Sequence, residues 1–169
     1  PEEMKAVAGL FNKTVCRELS LADIQSNFKR IREQLGDRAA LRAYHFFHEN
    51  ERVLQQVEDL EAGRFQSFLE KVNASGNSSF KWLQNVYATK NVKEQGITVA
   101  LALTEDYIRR TGEGACRVHG GGFAGTILTF LPEQAVAGYI PYMEAVFGES
   151  CVNVLTIRQN GTRELDKTE

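Results

Sequence analysis

Apolar residues recur every three or four positions from Glu2 to about Thr111, which is the spacing of helices that bury one face. A last helix of this kind is expected at about 92–110. The runs that carry the pattern are Met4, Val7, Leu10 and Phe11; Leu21, Ile24, Phe28, Ile31 and Leu35; Leu41, Tyr44, Phe47, Val53, Leu54, Val57 and Leu60; and Ile97, Leu101, Leu103, Tyr107 and Ile108. The sequence therefore predicts a helical part over residues 1–112.

Local signals indicate where these helices begin and end. Ser20 and Asp23 have the spacing of a capping box, and Asp37 is placed to cap the longest helix. Gly36 and Gly63 stand where helices are expected to stop. A further helical run is expected to break at Ser75–Gly76 and to restart with Asn77 or Ser78 as its cap.

The pattern changes after Gly112. "ACRVHG" and "GTILTFL" are short and rich in β-branched residues, "PEQAVAGYIPYMEAVFG" has the signals of a helix, and "CVNVLTIR" alternates like a strand. Residues 113–160 therefore predict the order strand, glycine loop, strand, helix, strand. We expect the first two strands to be antiparallel neighbours, with the helix at 132–147 packed across them. The whole chain, 1–169, is expected to form one α+β domain.

Composition and charge narrow the functional classes. The chain has 43% hydrophobic residues and a formal net charge of −2, so neither disorder nor nucleic-acid binding is expected. Three widely spaced cysteines form neither a disulfide framework nor a zinc knuckle. Without an apolar run long enough to span a bilayer, we expect no membrane contact, and we expect a cytoplasmic protein with reduced thiols.

The stretch "RVHGGGFAGTI", residues 117–127, carries the candidate chemistry. "HGGGF" resembles the oxyanion-hole motif of esterases, but the G-x-S-x-G element that this chemistry needs does not occur in the sequence. Gly120, Gly122 and Gly125 have dinucleotide-loop spacing, yet "TILTFLP" after them predicts a strand where such a loop opens a helix. The residues alone leave two interpretations open, an anion-binding loop and a glycine hairpin without a ligand.

Three stretches together resemble one family. "CRVHGGGFAGTILTFLP" is similar to the third conserved motif of the GHMP small-molecule kinases, in the "RMTGGGFGG" form of galactokinases. "GDRAALRAYHFFHENERV" is similar to the galactokinase helix "RA.H...EN.RV", and "PEEMKAVAGLF" to the segment before it. The stretches occur in the family's order and extend over nearly the whole chain. The resemblance implies the C-terminal domain of a GHMP kinase, of ferredoxin-like type.

The resemblance also implies a reaction. Galactokinases transfer the γ-phosphoryl group of ATP, with Mg²⁺, to the C1 hydroxyl of galactose. Their catalytic aspartate and main phosphate loop belong to an N-terminal lobe, which would be this chain's partner, so no catalytic residue is expected here. We expect the chain alone to be inactive, to hold no cofactor tightly and to self-associate. A non-catalytic relative that senses sugar and ATP and binds a regulatory protein remains the alternative.

The site residues implied by the resemblance form the glycine loop of the substrate cleft. They are Gly120, Gly121, Gly122, Phe123 and Gly125, with His119 as an accessory contact. His119 replaces the family's usual Thr and Ala124 its usual Gly, which leaves the sugar open.

The long helix contains a second candidate, a metal site. His45, His48 and Glu49 have a spacing that could ligate a metal from one helix face, but the order is not that of the zinc proteases. We expect no metal there and interpret the two histidines as packing residues.

Overall fold

Seven α-helices and one two-stranded sheet make up the part of the chain that the computed structural model describes, residues 1–122 and 125–157. The helices are α1 (Glu2–Leu10), α2 (Leu21–Ser26), α3 (Phe28–Leu35), α4 (Asp37–Glu61), α5 (Phe65–Ser78), α6 (Gly96–Thr111) and α7 (Glu133–Phe147), and the strands are β1 (Ala115–Val118) and β2 (Ile127–Phe130). A 3-10 turn at Cys16–Glu18 and a π-helical turn at Ser79–Leu83 complete the assignment. The predicted α+β class is confirmed.

The first four helices share an apolar core. Its buried members come from α1 to α4 and the 3-10 turn, and they are Val7, Ala8, Cys16, Ile24, Ile31, Ala39, Ala40, Ala43 and Phe47. The small alanines on one face of α4 let the shorter helices approach it closely. The valine and isoleucines that α1–α3 contribute belong to the predicted apolar spacing, whereas on α4 only Phe47 does and its other core residues are alanines. The hydrophobic effect explains why these helices pack here.

Two of the helix signals behave differently in the structure. Ser20 and Asp23 form the predicted capping box, in which the Asp23 N–H donates to Ser20 Oγ (3.2 Å) and the Ser20 N–H donates to Asp23 Oδ2 (2.8 Å). Asp37, however, is the first residue of α4 and does not cap it. The prediction was wrong because the Asp37 carboxylate instead accepts a hydrogen bond from Arg32 Nε at 2.6 Å.

The C-terminal half of α4 exposes the apolar residues that the spacing assigned to a core. Val53, Leu54, Val57 and Leu60 have exposed fractions of 47%, 66%, 48% and 52%. They continue the helix beyond the part that α1–α3 cover. Apolar spacing therefore predicted the helix correctly but not which half of it is buried.

The sheet is antiparallel, as predicted, and pairs Ala115 with Phe130 and Val118 with Ile127. Helix α5 lies along the outer edge of β1, where Asn73 Oδ1 accepts a hydrogen bond from the Cys116 N–H at 3.0 Å. The predicted break at Ser75–Gly76 is absent, and α5 runs through it. The glycine at position 76 is explained by packing and not by a helix end, because a Cβ there would lie 3.0 Å from the Cys116 carbonyl oxygen of β1.

The predictions for the last part of the chain are only partly met. Helix α7 packs mainly against α6, where Tyr107 Oη donates to the Ala135 carbonyl at 2.7 Å, rather than across the sheet. The predicted strand at "CVNVLTIR" does not form within 151–157, and Arg158 lies outside the described residues. A strand needs a neighbour for its backbone groups: both edges of β1 are taken by β2 and α5, and residues 151–157 do not pair with β2 in the described structure.

None of the helices in the described ranges combines the length and apolar character required to cross a membrane.

Candidate functional site

The glycine loop connects β1 to β2 and begins where the hydrogen-bonded pairing of the two strands ends. The His119 N–H donates to the Thr126 carbonyl at 3.0 Å, so the turn lies between these two residues. Gly120, Gly122 and Gly125 have φ angles of +64°, +75° and +85°, which side chains rarely allow. The loop conformation thus depends on glycine itself.

The glycines differ in what surrounds them. Among the described residues, a Cβ added to Gly120, Gly121 or Gly125 would meet no atom within 4 Å, whereas a Cβ on Gly122 would overlap the Asn85 carbonyl oxygen. Gly122 is therefore required by contact inside the protein. Gly121 has neither a positive φ nor a close neighbour, so the described structure gives no internal reason for a glycine there.

Asn85 is the residue that contacts Gly122. Its side-chain Nδ2 donates to the Gly121 carbonyl at 3.3 Å, and the residue is only 3% exposed. Asn85 follows the π-helical turn and Gln84, whose φ of 56° and ψ of 45° are left-handed. Sequence reasoning missed Asn85, because no local pattern links it to a loop 36 positions away.

Below the loop, a charged cluster joins α4, α5 and β1. Glu49 Oε1 accepts hydrogen bonds from Arg117 Nη1 (3.0 Å) and Ser75 Oγ, and Glu49 Oε2 pairs with Arg52. Burial alone would raise the pKa of Glu49, but the Ser75 hydrogen bond and the two guanidinium charges outweigh it and hold this pKa below its ordinary value. The carboxylate is therefore ionised and fixes Arg117, two residues before His119.

This cluster connects two of the stretches behind the family resemblance. Glu49 and Arg52 belong to "ENERV", and Arg117 belongs to "CRVHGGG". Their side chains are partly buried and directed at one another, so they act as internal supports for β1 and not as free ligands. The sequence contains a signal for this cluster, since both stretches carry the family resemblance, but that signal does not predict their contact.

The histidines of the rejected metal site are engaged separately. His45 Nδ1 lies 2.8 Å from Ser78 Oγ, and burial lowers the pKa of His45. The His48 ring lies 4.4 Å, between centroids, from Tyr44 and 5.6 Å from Trp82. The two rings thus serve contacts between α4 and the 78–82 segment.

The remaining site residues have simple descriptions. His119 is exposed next to the loop, and its role as an accessory contact stays a prediction. Phe123 lies outside the described residues. Gly120, Gly121, Gly122 and Gly125 stay the predicted cleft residues, and the structure adds that Asn85 contacts two of them.

Comparison with solved structures shows a similar fold in a sugar kinase. No protein-family model matches the chain. The crystal structure of Lactococcus lactis galactokinase complexed with galactose is similar, with a TM-score of 0.63 and 22% sequence identity over 87% of this chain. The two share a fold. The match extends over 36% of that galactokinase, so the chain spans a little over a third of the length of the protein it resembles.

Proposed function

We propose that this chain is the C-terminal part of a galactokinase-like sugar kinase that transfers the γ-phosphoryl group of ATP to the C1 hydroxyl of galactose. The observation that carries the proposal is the fold shared with a galactokinase, together with a glycine loop between two antiparallel strands. The catalytic aspartate and the main phosphate loop would lie in an N-terminal lobe, with Mg²⁺ bound alongside ATP. An exposed free thiol at Cys151 suits a reducing compartment such as the cytoplasm.

The glycine loop would contribute position and backbone N–H groups to this reaction. Phosphoryl transfer depends mainly on placing the reacting groups and stabilising their charge. At Gly121, open space at the missing Cβ would let a phosphate or sugar oxygen approach the backbone closely. The partly buried Glu49 and Arg117 pair would keep β1, and hence the base of the loop, in place.

Gly121→Ala in the full-length protein tests this role. Because the added methyl group would meet no neighbour in the described part of the chain, we expect unchanged thermal unfolding and a fall in kcat/KM of about tenfold or more from the obstructed approach. The assay measures galactose phosphorylation through the ADP that the reaction releases. Gly9→Ala, in α1 and equally free of neighbours, is the matched control and should leave turnover unchanged.

The outcomes separate the competing interpretations. Equal turnover in Gly121→Ala and the wild type would reduce the loop to a hairpin without a ligand. If the wild-type protein binds galactose and Mg-ATP in calorimetry but shows no turnover, the protein would be the non-catalytic sensor and not a kinase. Absence of both binding and turnover would refute the proposed function.

The isolated chain is proposed to self-associate. The exposed stripe on α4, Val53, Leu54, Val57 and Leu60, supports this, since contiguous exposed apolar side chains favour association. Sedimentation of the isolated chain at increasing concentration measures it, and a monomer at every concentration would contradict it.

A further inference from the structure

Asn85 is a buried polar residue, and the hydrogen bonds of its side chain do not account for its burial. Within the described residues, its amide nitrogen donates to Gly121 and its amide oxygen, also buried, has no partner. An unpaired buried acceptor disfavours the folded state, so an apolar residue would suit this position better for stability alone. The one bond that the Asn85 side chain makes there goes to the glycine loop.

The backbone before and after Asn85 fixes where its side chain starts. The Gln84 N–H closes the π-helical turn on the Ser79 carbonyl at 2.7 Å, and Gln84 itself is left-handed. Such turns and left-handed non-glycine residues carry strain and concentrate at functional sites. Val86, the next residue, is 1% exposed and packs in a core with Ile97 and Val118. Asn85 is thus held between a strained residue and a core residue.

Asn85 contacts two consecutive loop residues from this fixed position. The side chain bonds the Gly121 carbonyl, and the Asn85 backbone carbonyl occupies the space that a side chain on Gly122 would need. The peptide between Gly121 and Gly122 therefore accepts a hydrogen bond from the Asn85 side chain and lies against the Asn85 backbone. This peptide includes the open position, Gly121, where a ligand could approach.

We propose that Asn85 is the positioning residue of the glycine loop. Its amide sets the location of the Gly121–Gly122 peptide, and thereby the direction in which the loop presents its backbone N–H groups to an anionic or hydroxyl-bearing ligand. What the loop contacts rests on the proposed kinase function. The ordering of the loop by Asn85 does not depend on that function, and it is tested without an activity assay.

The test uses Asn85→Ala and Asn85→Leu in full-length protein labelled with ¹⁵N-glycine. Both variants remove the bond to Gly121 and the unpaired oxygen, and because Gly121 is an exposed residue we expect its carbonyl to bind water instead. We expect the NMR order parameters of Gly120–Gly122 to fall from about 0.85 to below about 0.6. Thermal unfolding should stay within about 2 °C of the wild type, because no buried donor or acceptor is left unpaired.

Asn73→Ala is the matched control. Asn73 is an asparagine whose bond to the Cys116 N–H is structural, so its loss should lower the unfolding temperature and leave the loop glycines ordered. In the kinase assay, the Asn85 variants should raise the KM for Mg-ATP about tenfold, the effect of losing a positioned contact.

Two results would overturn the inference. One is an unchanged order of Gly120–Gly122 in both Asn85 variants. The other is a loss of order that extends through β1 with an equal loss of thermal stability, which would make Asn85 a packing residue. A wild-type protein without kinase activity would refute the proposed function, while the order parameters would still decide the role of Asn85. A disordered loop with unchanged KM and kcat would refute its link to the reaction.

Discussion

Between α1 and α4 the buried side chains are almost all apolar, whereas around the glycine loop several of them are polar or charged. Ile24 and Ile31 are fully buried in the first region. In the second, polar contacts of the partly buried Glu49 and Arg117 and of the buried Asn85 join distant segments beside the apolar ones. Apolar packing tolerates small shifts of its members, but hydrogen bonds and ion pairs specify atoms and directions. The first region therefore supplies stability, and the second supplies a defined loop.

The largest expected effect is in the apolar region. Ile31→Ala should lower the free energy of unfolding by about 2–5 kcal/mol, because it removes buried methylene groups and leaves a cavity. Urea denaturation measures the change, and Leu54→Ala on the exposed part of α4 is the control, expected to cost far less. Loop order should be unaffected in the folded fraction. A loss under about 1 kcal/mol would show that this core can collapse around the gap.

A smaller effect is expected from the charged cluster. Glu49→Gln keeps the shape of the side chain but leaves Arg52 and Arg117 without their carboxylate, and we expect a loss of about 1–3 kcal/mol since the cluster is only partly buried. Glu51→Gln, on the same helix and exposed, is the control. The Gly120–Gly122 resonances should shift in Glu49→Gln and not in Glu51→Gln. Equal stability of the two variants would show that the cluster is dispensable.

The smallest effect concerns pH. The hydrogen bond from Lys71 holds the pKa of Asp59 at about 2, below its ordinary value. A depressed folded-state pKa gives stability that is present above the unfolded pKa, near 4, and is lost as the pH falls from there to about 2. Asp59→Asn should therefore lose less stability than the wild type between these pH values. An equal loss of stability in the two proteins as the pH falls from about 4 to about 2 would contradict this prediction. The joining of α4 and α5 would then not depend on Asp59.

A structural feature can be predicted from the sequence when the residues that determine it are close together in the chain. The capping box at Ser20, the helix end at Gly36, the helix predicted at 132–147 and the two strands follow from neighbouring residues, and these predictions are confirmed. The break predicted at Gly76 was wrong because this glycine gives room for β1, 40 positions later at Cys116, and does not mark a helix end. The strand after Cys151 was wrong because pairing needs a distant partner.

The candidate site divides in the same way. The spacing of Gly120, Gly122 and Gly125 marks the loop in the sequence itself, because positive φ angles restrict these positions to glycine. Asn85 has no such local mark, since its partner lies elsewhere in the chain. The contact of Glu49 with Arg117 has none either, although each residue belongs to a stretch that carries the family resemblance. Local sequence therefore indicates where the loop is, and tertiary contacts determine how it is held.

The three free cysteines have a practical consequence for chemical labelling. Cys16 and Cys116 are buried, and burial raises the pKa of both thiols, that of Cys116 to about 12, so neither reacts readily as a thiolate. Cys151 is exposed beyond the end of α7. A maleimide dye added to the native protein near neutral pH should therefore attach to Cys151 alone. A fluorescent reporter can be installed there without removing any native cysteine.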